Sequence, residues 1–208
     1  MLQLDSKETS NIINIIIAII TLFGILVTMF LTLHQIRLSN KHQLFDRRLD
    51  KYIIVKDLLD TYKRVNDIFT EKLNLEAFNR FILRSLMEND VLKDIQWTVD
   101  NPTKKESFET IHKKFRWIGK TAEELFFLFD KDKVNYFSDF IKKYRELIMW
   151  LQRYNINAEK TKGTGFGKDD REKARTEVLK VSNEMNLLLK KIEKKKIVES
   201  LAKQIKLK

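Results

Sequence analysis

The residues of this chain that could perform acid–base or metal chemistry are three histidines and a series of carboxylates. His34 and His42 stand eight residues apart, about 12 Å on a helix, which is too far to share a metal ion. His112 is far from both in sequence, so no two of the three histidines have metal-ligand spacing. Four acids alternate with bases over a short stretch, which is typical of solvated ion pairs rather than of paired catalytic carboxylates in a cleft. These acids are Asp46, Asp50, Asp57 and Asp60.

Cysteine is absent, which excludes thiolate metal ligands, a cysteine nucleophile and disulfides. The glycine-rich segment 162–168 resembles a phosphate-binding loop in composition only. Such loops follow a strand and open a helix, whereas no strand is predicted before this segment and its glycine spacing fits neither common fingerprint. We therefore predict a flexible linker over residues 157–170. We also predict no metal site, no cofactor and no enzymatic activity.

The strongest electrostatic feature is a cluster of lysines near the C-terminus. The chain has a net charge of +11, and residues 171–208 alone contribute +7. We predict a basic amphipathic helix over residues 171–208. Anionic lipid, nucleic acid and an acidic protein are the candidate partners for it, and plain solvation of the tail is an equal alternative. The lysine cluster comprises Lys190, Lys191, Lys194, Lys195, Lys196, Lys203, Lys206 and Lys208.

An uncharged run of 22 residues, Ile12 to Leu33, contains 16 large apolar side chains. As a helix it spans about 33 Å, which matches the hydrocarbon core of a bilayer. The run is too long for a cleaved signal peptide, and no basic segment precedes it. We predict one uncleaved transmembrane helix over residues 12–33, after a short extracytoplasmic segment of residues 1–11.

Flanking charges predict the orientation of this helix. The N-terminal side has only Lys7, which Asp5 and Glu8 offset, whereas five bases follow the run within about 20 residues. The positive-inside rule therefore predicts a single-pass protein of the cell membrane with its N-terminus outside and its C-terminal domain in the cytoplasm. The five bases are Arg37, Lys41, Arg47, Arg48 and Lys51.

Six residues of the run that are not large and apolar fall within an arc of about 120° on the helix. Small and hydroxylated residues let two membrane helices approach closely, so this small-residue face predicts a homo-oligomer or a partner membrane helix. Chance clustering of residues that are ordinary in membrane helices is the alternative. The small-residue face comprises Asn14, Ala18, Thr21, Gly24, Thr28 and Thr32.

The rest of the chain predicts an all-α fold, because it has only 5 glycines and 1 proline and its apolar residues recur every three or four positions. We predict that the first helix continues past the bilayer, or restarts near Ser39, and ends near Phe69. Helices over 75–88, 104–129 and 133–154 follow, with a break at Pro102 and a bend at Gly119. The cytoplasmic helical domain is predicted to cover residues 34–156.

Two stretches resemble a loose group of small bacterial proteins with one N-terminal membrane helix. The first, 42–52, contains Phe45, Arg48 and Tyr52 as F-x-x-R-x-x-x-Y, and the second, 127–137, opens with Phe127 and Phe129 as F-L-F. The resemblance covers residues 12–150. The group has no established activity, so the resemblance implies structural roles only, with Arg48 pairing to an acid on a neighbouring helix. It also implies a setting in mobile elements or phage defence.

These patterns predict a non-enzymatic, membrane-anchored interaction or assembly protein. The small-residue face would assemble it, and the helical domain would bind a partner. The alternative is a nucleic-acid-binding module held at the membrane, in which the lysine cluster contacts phosphates and affinity falls steeply with salt.

Overall fold

A computed structural model describes residues 6–70, 75–160 and 168–205, and side chains within 9–66, 79–159 and 168–205. Every regular element in these ranges is helical, which confirms the predicted all-α class. The elements are α1 (Ser6–Thr70), α2 (Leu75–Met87), a 3-10 helix (Lys93–Val99), α3 (Lys105–Leu128), α4 (Lys131–Lys160), α5 (Lys168–Lys194) and α6 (Ile197–Ile205).

Helix α1 is continuous, as predicted, and does not restart near Ser39. The chain divides into two compact units within this helix: the first ends at Asp46 and the second begins at Arg47. Ile36, Leu38 and Leu44 in the first unit remain 51%, 47% and 40% exposed.

The second unit is a helical bundle whose centre is aromatic. Tyr62 of α1 meets Phe140 and Tyr144 of α4 edge-on, with ring centroids 5.8 and 6.5 Å apart. The Tyr62 hydroxyl also lies 3.0 Å from the Ser182 carbonyl oxygen and 2.7 Å from Asn186 Oδ1, both on α5. Buried hydroxyls need such partners, and Tyr62 thereby joins three helices of the core.

Tyr144 joins the same core to α2. Its hydroxyl donates a 2.5 Å hydrogen bond to the Leu86 carbonyl oxygen, which lies at the end of α2 where no intrahelical donor remains. The Asn89 side chain donates to the same carbonyl oxygen at 2.8 Å. The predicted break at Pro102 falls between the 3-10 helix and α3, whereas α3 passes through Gly119 from Lys105 to Leu128 as one helix.

The C-terminal region differs from the prediction in two ways. Residues 157–160 belong to α4 rather than to a linker, and 161–167, which hold three glycines, lie outside the described residues. The single helix predicted over 171–208 is two helices, because a turn at Lys195 and Lys196 separates α5 from α6. Lys196 adopts the left-handed conformation, with φ of 48°, and α6 then buries Ile197, Leu201 and Ile205.

Candidate assembly face, lysine cluster and Arg48 junction

The apolar run of α1 keeps its large side chains on the surface of the first unit. All 16 of them between Ile12 and Leu33 are 42–70% exposed. The helix over Thr9–Asn66 contains an 18-residue window with a mean hydropathy of 2.7 and no buried residue, and is long and apolar enough to cross a membrane. In water such a surface is strongly unfavourable, since each large aliphatic or aromatic side chain left exposed forgoes about 1.5–3 kcal/mol.

The threonines of the small-residue face bond within their own helix. The hydroxyls of Thr21, Thr28 and Thr32 each donate a 2.8 Å hydrogen bond to the carbonyl oxygen four residues earlier. These bonds satisfy the hydroxyls without a partner helix and leave the methyl groups facing outward. Any attraction at this face therefore rests on close packing of small groups more than on hydrogen bonds between helices.

Gly24 forms the lowest point of the small-residue face. A Cβ built at this position would meet nothing within 4 Å. A shallow concavity runs along Thr21, Gly24, Thr28 and Thr32, with Ile25 on its wall. Asn14 lies towards the N-terminal end of this face and is exposed. The face thus combines a shallow groove with one polar amide, which needs a hydrogen-bond partner in an apolar medium.

The described part of the lysine cluster lies at the surface, at the end of α5, in the following turn and on α6. Lys190, Lys191, Lys194, Lys195, Lys196 and Lys203 are all exposed, and Lys206 and Lys208 lie outside the described residues. Lys195 is positioned by Tyr136, since its ammonium donates to the tyrosine hydroxyl and lies 4.6 Å from the ring centroid.

The apolar side of the basic helix is not free to rest on a membrane. Ala174, Val178, Val181, Met185 and Ile192 of α5 are buried in the bundle. The predicted amphipathic pattern is therefore present in α5, but its apolar side packs against other helices of the bundle. The lysine-bearing surface of α5 and α6 is exposed and remains available to a partner.

Arg48 is the residue of the F-x-x-R-x-x-x-Y segment with the most specific contacts. Its Nε donates to the Leu128 carbonyl oxygen at 2.7 Å and its Nη1 to the Gln204 carbonyl oxygen at 2.9 Å. The Leu128 oxygen lies at the C-terminal end of α3, where carbonyl groups lack intrahelical donors and carry partial negative charge, and the Gln204 oxygen lies in the last described turn of α6. We call this meeting point of Arg48, Leu128, Phe129 and Gln204 the Arg48 junction.

The expected acid partner of Arg48 was wrong, because two helix ends take the place of a carboxylate. The guanidinium also lies 5.9 Å from the centroid of the Phe129 ring, so the two stretches that carry the resemblance contact each other. Phe45 and Tyr52 are half-buried, whereas Phe127 is 86% exposed. Sequence reasoning missed this exposure because the apolar run 125–128 covers a full helical turn and shows no preferred side.

The second unit holds its perturbed titratable groups in its core and in surface ion pairs. Burial raises the pKa of the Tyr62 and Tyr144 hydroxyls well above the usual value, so both stay neutral hydrogen-bonding groups. A hydrogen bond from Lys51, at 2.5 Å, lowers the pKa of the Glu124 carboxyl. Within the described ranges no three His, Asp or Glu side chains come together as a group that could hold a metal ion.

Comparison with protein-family models, with curated proteins and with solved structures finds no match for this chain.

Proposed function

We propose that this chain is a single-pass membrane protein that assembles through the small-residue face of α1 and presents its bundle, as a non-enzymatic interaction domain, on the cytoplasmic side. The observation that carries the proposal is the exposure of all 16 large apolar side chains between Ile12 and Leu33. At about −0.3 to −0.6 kcal/mol for each central aliphatic residue, transfer of this surface into a bilayer is favourable by several kcal/mol.

Assembly follows from the contrast between the two sides of the same span. One side is built from branched and aromatic side chains that suit lipid, whereas the other has the groove at Gly24 and helix-bonded threonines. Helices in lipid gain association energy where small residues let their backbones approach. An Asn14 amide that would otherwise be unsatisfied favours a partner at the same face.

The decisive experiment uses the absence of cysteine in the chain. Full-length single-cysteine variants Ala18→Cys, Thr21→Cys and Thr28→Cys are oxidised in native membranes beside Ile16→Cys, Phe23→Cys and Phe30→Cys, which lie on the opposite side of the helix. Disulfide-linked dimers are expected at the first three positions only. Adding Gly24→Leu is expected to abolish them, because a Leu side chain fills the groove, while adding Ile20→Leu is the matched control. Equal cross-linking at all six positions, or none at any, would refute assembly through this face.

A second candidate function is binding of nucleic acid at the membrane, which the exposure of all six described lysines of the cluster favours. Each phosphate contact contributes about 0.9 to the slope of log affinity against log salt on duplex DNA. Full-length protein in detergent is titrated with duplex DNA, RNA and phosphatidylserine vesicles at several salt concentrations. A steep salt slope for DNA or RNA that Lys190→Gln, Lys191→Gln and Lys194→Gln reduce would support this function, and binding to vesicles alone would exclude it.

A further inference from the structure

We infer that the surface around the Arg48 junction docks on anionic phospholipid headgroups, with Phe127 inserted at the boundary between headgroups and acyl chains. This inference rests on the proposed membrane anchoring. It adds a second, peripheral membrane contact to the second unit of the chain. We call this the junction surface, and it consists of Arg47, Phe127, Lys131, Lys133 and Lys203.

Contacts within the bundle bring the junction surface together from four helices. Arg48 joins α1 to the ends of α3 and α6 through two hydrogen bonds of 2.7 and 2.9 Å. The backbone N–H of Asp130, just before α4, donates to Gln204 Oε1 at 3.1 Å. Each member of the junction surface stands within one to three residues of these atoms in the chain, so all five lie at one end of the bundle.

Phe127 is the apolar element of this end. Its side chain is 86% exposed, more than any other large apolar residue that the structure describes. A single exposed apolar residue is ordinary on a protein surface. Phe127 differs because its end of the bundle also carries Arg47, Lys131 and Lys203, and aromatic side chains together with bases favour the interface of a membrane, where the ring is shielded from water and the charges face headgroups.

The charge at this end is positive, which selects an anionic partner. Arg47, Lys131 and Lys203 are exposed and Lys133 is half-exposed, and the Lys195–Tyr136 contact brings the turn between α5 and α6 to the same part of α4. The acids here are fewer than the bases. The bases are Arg47, Arg48, Lys51, Lys120, Lys131, Lys133, Lys194, Lys195, Lys196 and Lys203, and the acids are Asp50, Glu123, Glu124, Asp130, Asp132, Glu193 and Glu199.

A lipid surface fits this pattern better than a second copy of the chain. Two copies, each with a net charge of +11, would bring like charges together at such a contact. Each base close to anionic headgroups instead increases the affinity of the protein for the membrane by about fivefold. Residues 34–46 separate Leu33 from Arg47 and, as part of the continuous helix α1, span about 20 Å, so an anchored chain presents the junction surface to headgroups at high effective concentration.

The test places an environment-sensitive fluorophore on a single cysteine in the full-length chain. The Phe127→Cys variant carries the dye at the junction surface, and the Phe108→Cys variant is the matched control. Phe108 is also an exposed phenylalanine of α3, and lies about 28 Å away along that helix. Both proteins are reconstituted in nanodiscs of phosphatidylcholine with or without phosphatidylserine, some of which carry doxyl-labelled lipid as a quencher.

With phosphatidylserine, the probe at 127 is expected to shift to the blue and to be quenched by doxyl lipid, and high salt is expected to reverse both. The probe at 108 is expected to stay unchanged. Adding Lys131→Gln and Lys133→Gln is expected to lower the ratio of docked to undocked protein about 30-fold, since each removed base costs about fivefold.

The inference fails if phosphatidylserine leaves the emission of the probe at 127 unchanged, or if it changes the emission of the probe at 108 equally. It also fails if only added RNA changes the emission at 127. Co-elution of each variant with its nanodisc is measured first. Protein that does not co-elute overturns the proposed anchoring and the present inference with it. Protein that co-elutes without a response at 127 overturns the junction surface alone.

Discussion

The large apolar side chains of α1 are exposed in the first unit of the chain and buried in the second. Between Ile12 and Leu33 the large apolar residues of α1 are 42–70% exposed, whereas Val55, Leu59 and Tyr62 further along α1 are at most 1% exposed. The first stretch is apolar around its whole circumference, and the second has one apolar side and one charged side. A helix that is apolar all round needs an apolar surrounding, while a one-sided helix needs only a bundle.

The strongest challenge to this comparison is to make the first stretch polar. Ile19→Arg with Phe23→Arg is expected to shift the protein from the membrane pellet to the supernatant after alkaline carbonate extraction. Each arginine costs about 2.5–3.5 kcal/mol near the bilayer centre, so the pair removes about 6 kcal/mol from insertion. Ile19→Leu with Phe23→Leu is the control and should stay in the pellet. Retention of the arginine variant would contradict a membrane function for this stretch.

The matching challenge in the second unit removes an aromatic side chain from its core. Tyr144→Ala is expected to lower the free energy of unfolding by about 3–5 kcal/mol, because it opens a cavity among fully buried residues. Tyr144→Phe keeps the ring and leaves the Leu86 carbonyl with one donor fewer, for a loss of about 1–2 kcal/mol. Urea denaturation of detergent-solubilised protein, followed by circular dichroism, measures both.

Phe127→Ala is the control for this series, since an 86% exposed side chain should change stability by no more than about 0.5 kcal/mol in detergent. A loss of several kcal/mol for Phe127→Ala would mean that the end of the bundle packs differently from the description given above.

A smaller effect is expected at the Arg48 junction. Arg48→Met removes two charge-assisted hydrogen bonds to helix ends and should cost about 2 kcal/mol, which lowers Tm by about 4–8 °C in a domain of this size. Arg48→Lys should recover only part of the loss, because one ammonium group cannot reproduce the two directed bonds of a guanidinium. Arg47→Met alters the exposed neighbour, and an equal loss in this variant would argue against a specific role for Arg48.

The smallest effect concerns the Lys51–Glu124 ion pair. Glu124→Gln is expected to cost about 0.5 kcal/mol at neutral pH, since both partners are partly exposed. The pKa of folded Glu124 is lowered, so its contribution is present above the ordinary carboxyl pKa and is lost as the pH falls through the folded value. Chemical denaturation at neutral and acidic pH should therefore show the two proteins converging in acid. Glu123→Gln, at an exposed neighbour, should match the wild type throughout.

The sequence was sufficient for features that depend on periodicity and composition. The exposed apolar stretch, the bounds of α2 and the break at Pro102 follow from residue spacing and backbone chemistry. The residues of the small-residue face and the lysine cluster could likewise be named in advance, although their binding partners stay predictions. The partners of Arg48 could not be predicted, because every residue has a carbonyl oxygen and only the tertiary fold decides which two remain free at helix ends.

The division between α5 and α6 has a signal in the sequence that the prediction of a single helix did not use. On one continuous helix Ile197 would lie about 140° around the axis from Ile192, so the apolar positions shift register after Lys194. The turn lets α6 bury Ile197, Leu201 and Ile205 in the bundle. Lys196 adopts the left-handed conformation in this turn.

The contact between Arg48 and Gln204 has a consequence for biosynthesis. The two residues are 156 positions apart in the chain. At about 5–20 residues per second, roughly 8–30 s of translation separate them. During this interval Arg48 lacks one of the two carbonyl oxygens that complete the junction, so the nascent chain exposes an unfinished bundle edge. The last contacts of the junction therefore form only after the ribosome has synthesised α6. Chaperones or proteases can act on the nascent chain before then.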